Sequence, residues 1–143
     1  MLLPDANVFL HAVNEPALEH EAAYAWLDET LQGTEAIGIA WVVALAFLRL
    51  TTHPSIFARS LTTERAAATL EAWMDEPQVI MVEPTRRHLP LLRGLLVATG
   101  TAGKLVSDAH LAALALEHDA TVVSFDRDFG RFEGVSWRLP GAL

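Results

Sequence analysis

The sequence predicts an α/β fold in which a parallel sheet is covered by helices. Short apolar runs alternate with longer helical patterns along the whole chain, and this alternation is typical of a parallel sheet flanked by helices. The chain has 143 residues and is 52% hydrophobic, so one domain can bury a substantial core. In addition, acids follow two of the predicted strands directly, at Asp5 and Asp126.

Composition excludes several classes of function. The chain has no cysteine, so it contains neither disulfides nor thiolate metal sites. No apolar run approaches the roughly 18 residues of a membrane span, and Met1–Asp5 lacks the basic region of a signal peptide. We therefore expect a cytoplasmic protein that does not contact membranes. The net charge of -8 argues against a broad basic nucleic-acid surface, but not against a small basic patch or a phosphate-binding metal.

The first predicted strand covers residues 1–3 and leads into Pro4 and Asp5, and a helical pattern opens at Val8. Asp5 has two interpretations. It can cap the first helix, a role for which Asn7 competes. Alternatively, it projects a carboxylate from the end of the strand, and Asn7 orients that carboxylate.

A second helix is predicted from Pro16, which is tolerated in a first turn, to the stop at Gly33. Apolar residues recur at every fourth position and indicate one buried face. Residues 36–38 form a short predicted second strand.

The segment 40–52 is almost wholly apolar, which predicts a helix buried on all sides. Its only charge is Arg49, which can pair with a carboxylate or contact a phosphate. Pro54 ends this helix, and residues 55–60 are predicted to form a loop.

The remaining elements follow the same alternation. Helices are predicted over 62–75, from Arg86 or His88 to Val97, and over 104–117; strands are predicted over 79–82, 121–123 and 134–137. Asp108 lies near the start of the last helix, where the helix dipole favours a negative charge.

Three separate elements thus present acids: Asp5, Asp108, and Asp126 with Asp128. Ligands of open α/β sheets bind beyond the carboxyl ends of the strands, although Asp residues also cap turns and helices there. Clustered carboxylates repel one another. A hard divalent cation such as Mg²⁺ or Mn²⁺ removes that repulsion, and it can activate water at a phosphodiester. No glycine-rich phosphate loop and no G-x-S-x-G motif are present.

Four fragments carry a resemblance to a known family: L-P-D-A-N-V-F, F-L-R-L-T-T, L-V-S-D-A-H-L-A-A-L-A and S-F-D-R-D-F. In order and spacing the chain resembles PIN-domain ribonucleases, and in particular VapC toxins, over 1–143 as a single domain. The resemblance implies a Rossmann-like three-layer sandwich with about five parallel strands. It also implies Mg²⁺- or Mn²⁺-dependent cleavage of RNA, a VapB-like antitoxin as partner, and a homodimer.

The resemblance also implies roles for individual residues. Asp5, Asp108 and Asp126 match catalytic, metal-binding acids, and Asp128 matches a weaker additional one. Asn7 and Ser124 match polar residues that orient the carboxylates.

One acid of the family is missing. A Glu is expected just before F-L-R, but Ala46 stands there, and none of its neighbours in 44–47 is acidic. Glu35 is too far back in the sequence. We therefore expect one metal ion on Asp5 and Asp108, assisted by Asp126, instead of a full two-metal site.

The predicted function is an endoribonuclease toxin that cleaves a structured cellular RNA, with tRNA favoured by analogy with the family. Arg49, Lys104 and Arg127 are candidates for phosphate contacts, and structural ion pairs explain them equally well. Two alternatives remain. One is a PIN module that has lost catalysis with the missing Glu and acts as a binding partner. The other is a haloacid-dehalogenase-type phosphatase, whose D-x-D motif would have Asn7 in place of its second acid.

Overall fold

A computed structural model describes residues 1–100 and 103–141. Its centre is a five-stranded sheet with the spatial order β3-β2-β1-β4-β5, in which all neighbouring strands are parallel. The strands are β1 (Leu2–Pro4), β2 (Ile37–Ala40), β3 (Val79–Val82), β4 (Thr121–Val123) and β5 (Trp137–Arg138).

In the part of the chain that the structure describes, six α-helices surround this sheet, as the α/β prediction required. They are α1 (Ala6–Val13), α2 (His20–Gln32), α3 (Trp41–Thr51), α4 (Thr63–Met74), α5 (His88–Thr99) and α6 (Val106–Glu117). Two short 3-10 helices, Gly103–Leu105 and Arg127–Arg131, precede α6 and follow β4. In the described residues, no helix is long and apolar enough to cross a membrane.

The strand register brings the ends of four strands to one edge. Pro4 pairs with Val123, and Ala40 pairs with Val82. Leu2 pairs with Ile37, so the next residue after β1, Asp5, lies level with Ala40. Side chains that follow these strands are therefore brought together at the carboxyl edge of the sheet.

The core lies on both faces of β1 and β4. Leu3, Val122 and Val123 have no exposed surface, as expected for central strands of a parallel sheet. Helix α6 packs closely through small buried residues such as Ala109 and Ala112. These contacts fix the start of α6 relative to the ends of β1 and β4.

Most predicted elements are confirmed within one or two residues, but the start of α2 is not. The helix begins at His20, and the segment around Pro16 forms turns in which Ala17 N–H bonds to Asn14 O at 2.9 Å. Leu18 is 94% exposed, so this segment buries no apolar face that would stabilise a helix.

The prediction that the central helix is buried on all sides is wrong for one row of α3. Trp41 is 50% exposed, Leu45 is 59% exposed, and Arg49 is also exposed. These residues recur every four positions and therefore share one side of the helix. The opposite side packs against α1 and α4.

The prediction of a buried third strand is also wrong in part. Because β3 lies at the edge of the sheet, it has one neighbouring strand, and Ile80 is 49% exposed. The last strand begins three residues later than predicted, since the chain reaches β4 only at Trp137 and Arg138.

Gly38 in β2 provides a test of this packing. A Cβ atom at position 38 would lie 2.4 Å from Val82 Cγ2 and 3.1 Å from Leu3 Cδ1. We expect Gly38→Ala to lower the free energy of unfolding by about 1–3 kcal/mol, since β-branched Val82 has little freedom to move away. Urea denaturation measures the change.

Gly94 in α5 is the matched control, because a Cβ atom there meets nothing within 4 Å. Gly94→Ala should raise stability by about 0.5–1 kcal/mol through helix propensity. Equal stability of Gly38→Ala and the wild type would contradict the close contact between β2 and β3.

Candidate active site

Asp5 and Asp108 line a single cleft of about 510 Å³ beside the carboxyl edge of the sheet. Asp5 follows β1, and Asp108 lies in the first turn of α6. Helix α3 supplies one wall of the cleft, which includes Ala46 and Arg49. Two acids separated by about a hundred residues thus meet at the position predicted from the strand ends.

The carboxylate of Asp5 is held by hydrogen bonds on both oxygens. Oδ1 accepts from the backbone N–H of Ala6 at 2.7 Å, so Asp5 caps α1. Oδ2 accepts from Asn7 Nδ2 at 3.1 Å and from Ser124 Oγ at 2.9 Å. Both interpretations of Asp5, as a helix cap and as an oriented carboxylate at a strand end, therefore hold together.

Ser124 and Asn7 link this carboxylate to the turn after β4. Ser124 is fully buried, and its Oγ accepts from the N–H of Asp126 at 3.0 Å. Asn7 accepts from the N–H of Phe125 at 3.2 Å. The two residues therefore connect the Asp5 carboxylate to the turn that carries Asp126, and their role in orienting carboxylates stays a prediction.

Asp126 and Asp128 lie in the same turn. Asp126 Oδ1 accepts from the N–H of Asp128 at 2.9 Å, so it caps the 3-10 helix Arg127–Arg131. Asp126 thus has the capping role that the sequence allows for an Asp at this position. Both carboxylates also raise the pKa of Asp108, so they belong to the same electrostatic cluster.

The cluster is electrostatically unfavourable without a cation. Burial, and after it repulsion from Asp5, Asp126 and Asp128, together raise the pKa of Asp108 to about 6. Burial also raises the pKa of Asp5, although its hydrogen bonds from Ser124 and Ala6 act in the opposite direction. Carboxyls that resist ionisation in a cleft are typical of functional sites.

The donor atoms suit a hard divalent cation, because all are carboxylate or hydroxyl oxygens. Within the described part of the chain, however, no three His, Cys, Asp or Glu side chains are already grouped to hold a metal ion. Both oxygens of Asp5 already accept hydrogen bonds, whereas Asp108 accepts none from the described residues. The residues therefore fit Mg²⁺ or Mn²⁺ in chemistry, although no such group is preformed in the described residues.

The predicted cations have different positions. Arg49 lines the cleft and Arg127 is exposed beside Asp126; neither forms a salt bridge with a described acid. The ion pair considered for Arg49 is therefore not found. The side chain of Lys104 lies outside the described residues.

Sequence reasoning missed a polar network between α5 and α6. Glu117 Oε2 lies 2.6 Å from His88 Nδ1, and His88 Nε2 lies 2.8 Å from His110 Nδ1. Glu117 also accepts from the N–H of Thr85 at 2.8 Å. In the sequence, only the spacing of His110 and Glu117, two helical turns apart, indicates that they share a side of α6.

The chain matches the PIN domain family model over residues 2–135. It is 48% identical over 143 residues to Ribonuclease VapC37 of Mycobacterium tuberculosis, with 100% of this chain and 99% of the relative covered. It is 37% identical over 140 residues to Ribonuclease VapC33 of the same species, with 98% of each chain covered.

Solved structures share the fold at low sequence identity. A structure of VapBC2 from Rickettsia felis bound to a DNA fragment from their promoter matches with a TM-score of 0.69 at 17% identity, covering 96% of this chain and 97% of that one. VapBC-1 from nontypeable Haemophilus influenzae matches with a TM-score of 0.70 at 13% identity, covering 99% and 98%. From the family model and the full-length relatives, the chain belongs to the PIN-domain family, within its VapC group.

Proposed function

We propose that this chain is a Mg²⁺- or Mn²⁺-dependent endoribonuclease toxin that cleaves a structured RNA in the cytoplasm, with tRNA favoured as substrate. The observation that carries the proposal is the cluster of four carboxylates at one edge of the sheet. Three of them raise the pKa of the fourth, Asp108, beyond the effect of burial. A site that needs a cation and opens to a cleft suits metal-assisted hydrolysis of a phosphodiester.

The proposed roles follow from the hydrogen bonds. Ser124 and Asn7 fix the carboxylate of Asp5, so that it needs little reorganisation when a ligand binds. Asp108 accepts no such bond from the described residues, so its side chain can rotate toward the ligand. Asp126, with Asp128 in support, either completes the site or orients the attacking water. A metal ion held there would polarise that water and neutralise charge on the leaving oxygen.

The cleft also explains how RNA can approach an acidic protein. Arg49 is exposed on the same wall as Ala46 and is free to contact a phosphate. Arg127 is placed in the turn between Asp126 and Asp128 and offers a second contact. Leu45 and Leu111 form apolar parts of the lining, which lower the local dielectric and strengthen these charge interactions.

An antitoxin that blocks this cleft is part of the proposal, supported by membership of the VapC group. An unneutralised carboxylate cluster suits the guanidinium of an inhibitory Arg. A homodimer is also proposed, because large apolar side chains remain exposed on α3 and α5, among them Trp41, Leu45, Leu89 and Val97.

A PIN module without catalysis is the second candidate, and two observations favour it. Ala46 lines the cleft, and the family resemblance implies a Glu at this position. In addition, no three-ligand group is preformed in the described residues. Membership of the PIN family argues against the third candidate, a haloacid-dehalogenase-type phosphatase.

Induced expression followed by sequencing of RNA 5′ ends tests the proposal. Wild-type protein should create new, discrete 5′ ends, and Asp5→Asn and Asp108→Asn should each reduce them by about 100-fold or more, because each removes a charged ligand. Asp75→Asn, at the exposed end of α4, makes the same charge change and should cleave normally. Discrete ends that persist in both site variants would place the active site elsewhere.

The pH dependence of stability tests the carboxylate cluster without RNA. The folded pKa of Asp108 is about 6 and the reference value is 3.8, so the folded state binds the proton more tightly. The resulting stabilisation is fully present below pH 3.8 and is lost as pH rises through 6. The Asp108→Asn protein does not lose this stabilisation as the pH rises. With a chelator present, its free energy of unfolding should therefore rise by about 1 kcal/mol relative to the wild type between pH 4 and 7, after allowance for partial exposure.

Urea denaturation at both pH values measures this difference, with Asp75→Asn as control. A constant difference between Asp108→Asn and the wild type at pH 4 and 7 would show that the pKa of Asp108 is not raised in the folded protein. At pH 7, saturating Mg²⁺ should make the wild type more stable than Asp108→Asn, since a ligand stabilises the protein that binds it.

Ala46→Glu tests the missing family acid. A carboxylate at this position of the cleft wall should tighten Mg²⁺ and Mn²⁺ binding in calorimetric titrations. In chelator it should lower stability by about 1–3 kcal/mol, because it adds a charge beside the other acids. Ala46→Gln has the same size and should do neither. Equal metal affinities for Ala46→Glu and the wild type would show that position 46 does not face the metal site.

A further inference from the structure

Trp41, the first residue of α3, is half-exposed beside the active-site cleft. The next residue in the chain, Val42, lines the cleft, and so does Leu45, one helical turn further along α3. Trp41, Leu45 and Arg49 recur every four positions and share the exposed side of the helix. Because two of its helical neighbours line the cleft, Trp41 lies at the rim of the cleft.

The start of α3 also places Trp41 at the carboxyl edge of the sheet. Trp41 follows Ala40 directly, and Ala40 lies level with Asp5 on the neighbouring strand. Neighbouring strands are about 4.8 Å apart. In a helix, each Cα–Cβ bond is tilted toward the N-terminus. The Cα–Cβ bond of Trp41 is therefore tilted toward the edge of the sheet that carries the acids.

Among the four tryptophans of the chain, Trp41 differs from the other three in its contacts. Trp26 is buried in the core, and Trp73 packs against two core phenylalanines. The indole N–H of Trp137 donates to the backbone carbonyl of Ser124. Within the described residues, the ring of Trp41 makes no aromatic contact and its N–H donates no hydrogen bond. The described contacts thus give Trp41 no structural role of this kind.

Tyr24 is the other aromatic residue among the large hydrophobic side chains that the structure describes as exposed. It lies in α2 and lines a different cleft, which shares no residue with the active-site cleft. Its ring centroid is 5.9 Å from that of His20. Beside the acid cluster, the described part of the chain therefore offers one large, free aromatic surface, that of Trp41.

We propose that Trp41 binds RNA by stacking on a nucleobase next to the phosphodiester in the cleft. The inference rests on the proposed ribonuclease function and names a residue that contacts a base, whereas the acids and Arg49 act on phosphates. Every base has a π face, so such stacking is largely independent of sequence.

A nucleotide strand presents the two kinds of surface that this row of α3 complements. Arg49 lies two turns from Trp41, about 12 Å along the helix axis. A guanidinium binds a phosphate through paired hydrogen bonds, while an indole stacks on a base. Stacking also suits a protein of net charge -8, because it adds affinity without any charge while the acid cluster repels the RNA backbone.

A second copy of the chain is the competing occupant, since Trp41 is among the apolar side chains of the proposed dimer. Two observations favour RNA. The row of Trp41 continues into the cleft through Leu45, so a second copy seated on this row would cover part of the cleft wall. In addition, Leu89 and Val97 line a separate groove on α5 and can supply a dimer face without Trp41.

The first test separates stacking from charge. Trp41→Ala, Trp41→Phe and the control Tyr24→Ala are each made in an Asp108→Asn parent, which we expect not to cleave. Binding of an unstructured RNA of about a dozen nucleotides is measured at several salt concentrations. Trp41→Ala should weaken binding by about 5- to 150-fold. The slope of log affinity against log salt should stay unchanged, because loss of stacking does not change the number of counterions released.

The other two variants define the control. Trp41→Phe retains an aromatic ring and should keep most of the affinity, and Tyr24→Ala should bind RNA like the parent. Equal affinities for Trp41→Ala and Tyr24→Ala would overturn the stacking role. Weaker binding of Trp41→Ala with a lower salt slope would overturn it too, since the substitution would then act through phosphate contacts.

A chain of abasic sugar phosphates of the same length provides the second test. This probe keeps the phosphates and removes the rings that stack. The parent and Trp41→Ala should therefore bind it equally, although they differ in affinity for the RNA. A loss of affinity for the abasic chain as large as the loss for RNA would contradict stacking on a base.

Light scattering at the protein concentrations of the binding assay separates RNA from a second copy. The parent and Trp41→Ala should have the same mass, and circular dichroism should show the same fold. Weaker RNA binding that appears only together with a loss of mass would assign Trp41 to the contact between copies. If the parent binds no RNA and the wild type cleaves none, the proposed function itself fails. RNA binding by Trp41→Ala at the affinity of the parent overturns the role of Trp41 alone.

Discussion

The parallel pairing of β1 with β4 is the constraint on which the rest of the site depends. It places Pro4 beside Val123, so Asp5 and Ser124 emerge side by side, and the buried hydroxyl of Ser124 reaches the Asp5 carboxylate at 2.9 Å. A slip of one residue would turn these side chains to opposite faces of the sheet. The fully buried residues of β1 and β4 prevent such a slip, so the hydrophobic core also sets the geometry of the polar site.

The close grouping of carboxylates in the site is electrostatically unfavourable. Four acids share one edge of the sheet, and the pKa of Asp108 is raised to about 6 by burial and by its three neighbours. The fold tolerates this because small buried residues of α6 pack closely on the sheet and hold Asp108 in position. A cation or an inhibitory arginine that bound there would relieve this repulsion. Both ligands would therefore be stabilised by the same electrostatic effect.

Much of this arrangement could be predicted because it depends on local patterns. The runs at 79–82 and 121–123 are strands with those bounds, and the positions of Asp5 after β1 and of Asp126 after β4 follow from the chain order. The exposure of Trp41 could not be predicted, since it depends on which elements cover α3. The bond between Thr85 and Glu117 joins residues 32 positions apart and depends on how α5 crosses α6.

The double use of Asp5 and Asp126 has a consequence for the evolution of such chains. Both acids cap the element that follows them, so selection for folding alone would retain them after catalysis had disappeared. Asp108 accepts no hydrogen bond from the described residues and lowers stability when charged. In a lineage that no longer cleaves RNA, position 108 should therefore drift first. An intact Asp5 says little about whether a descendant is active, whereas an intact Asp108 marks continuing selection for chemistry.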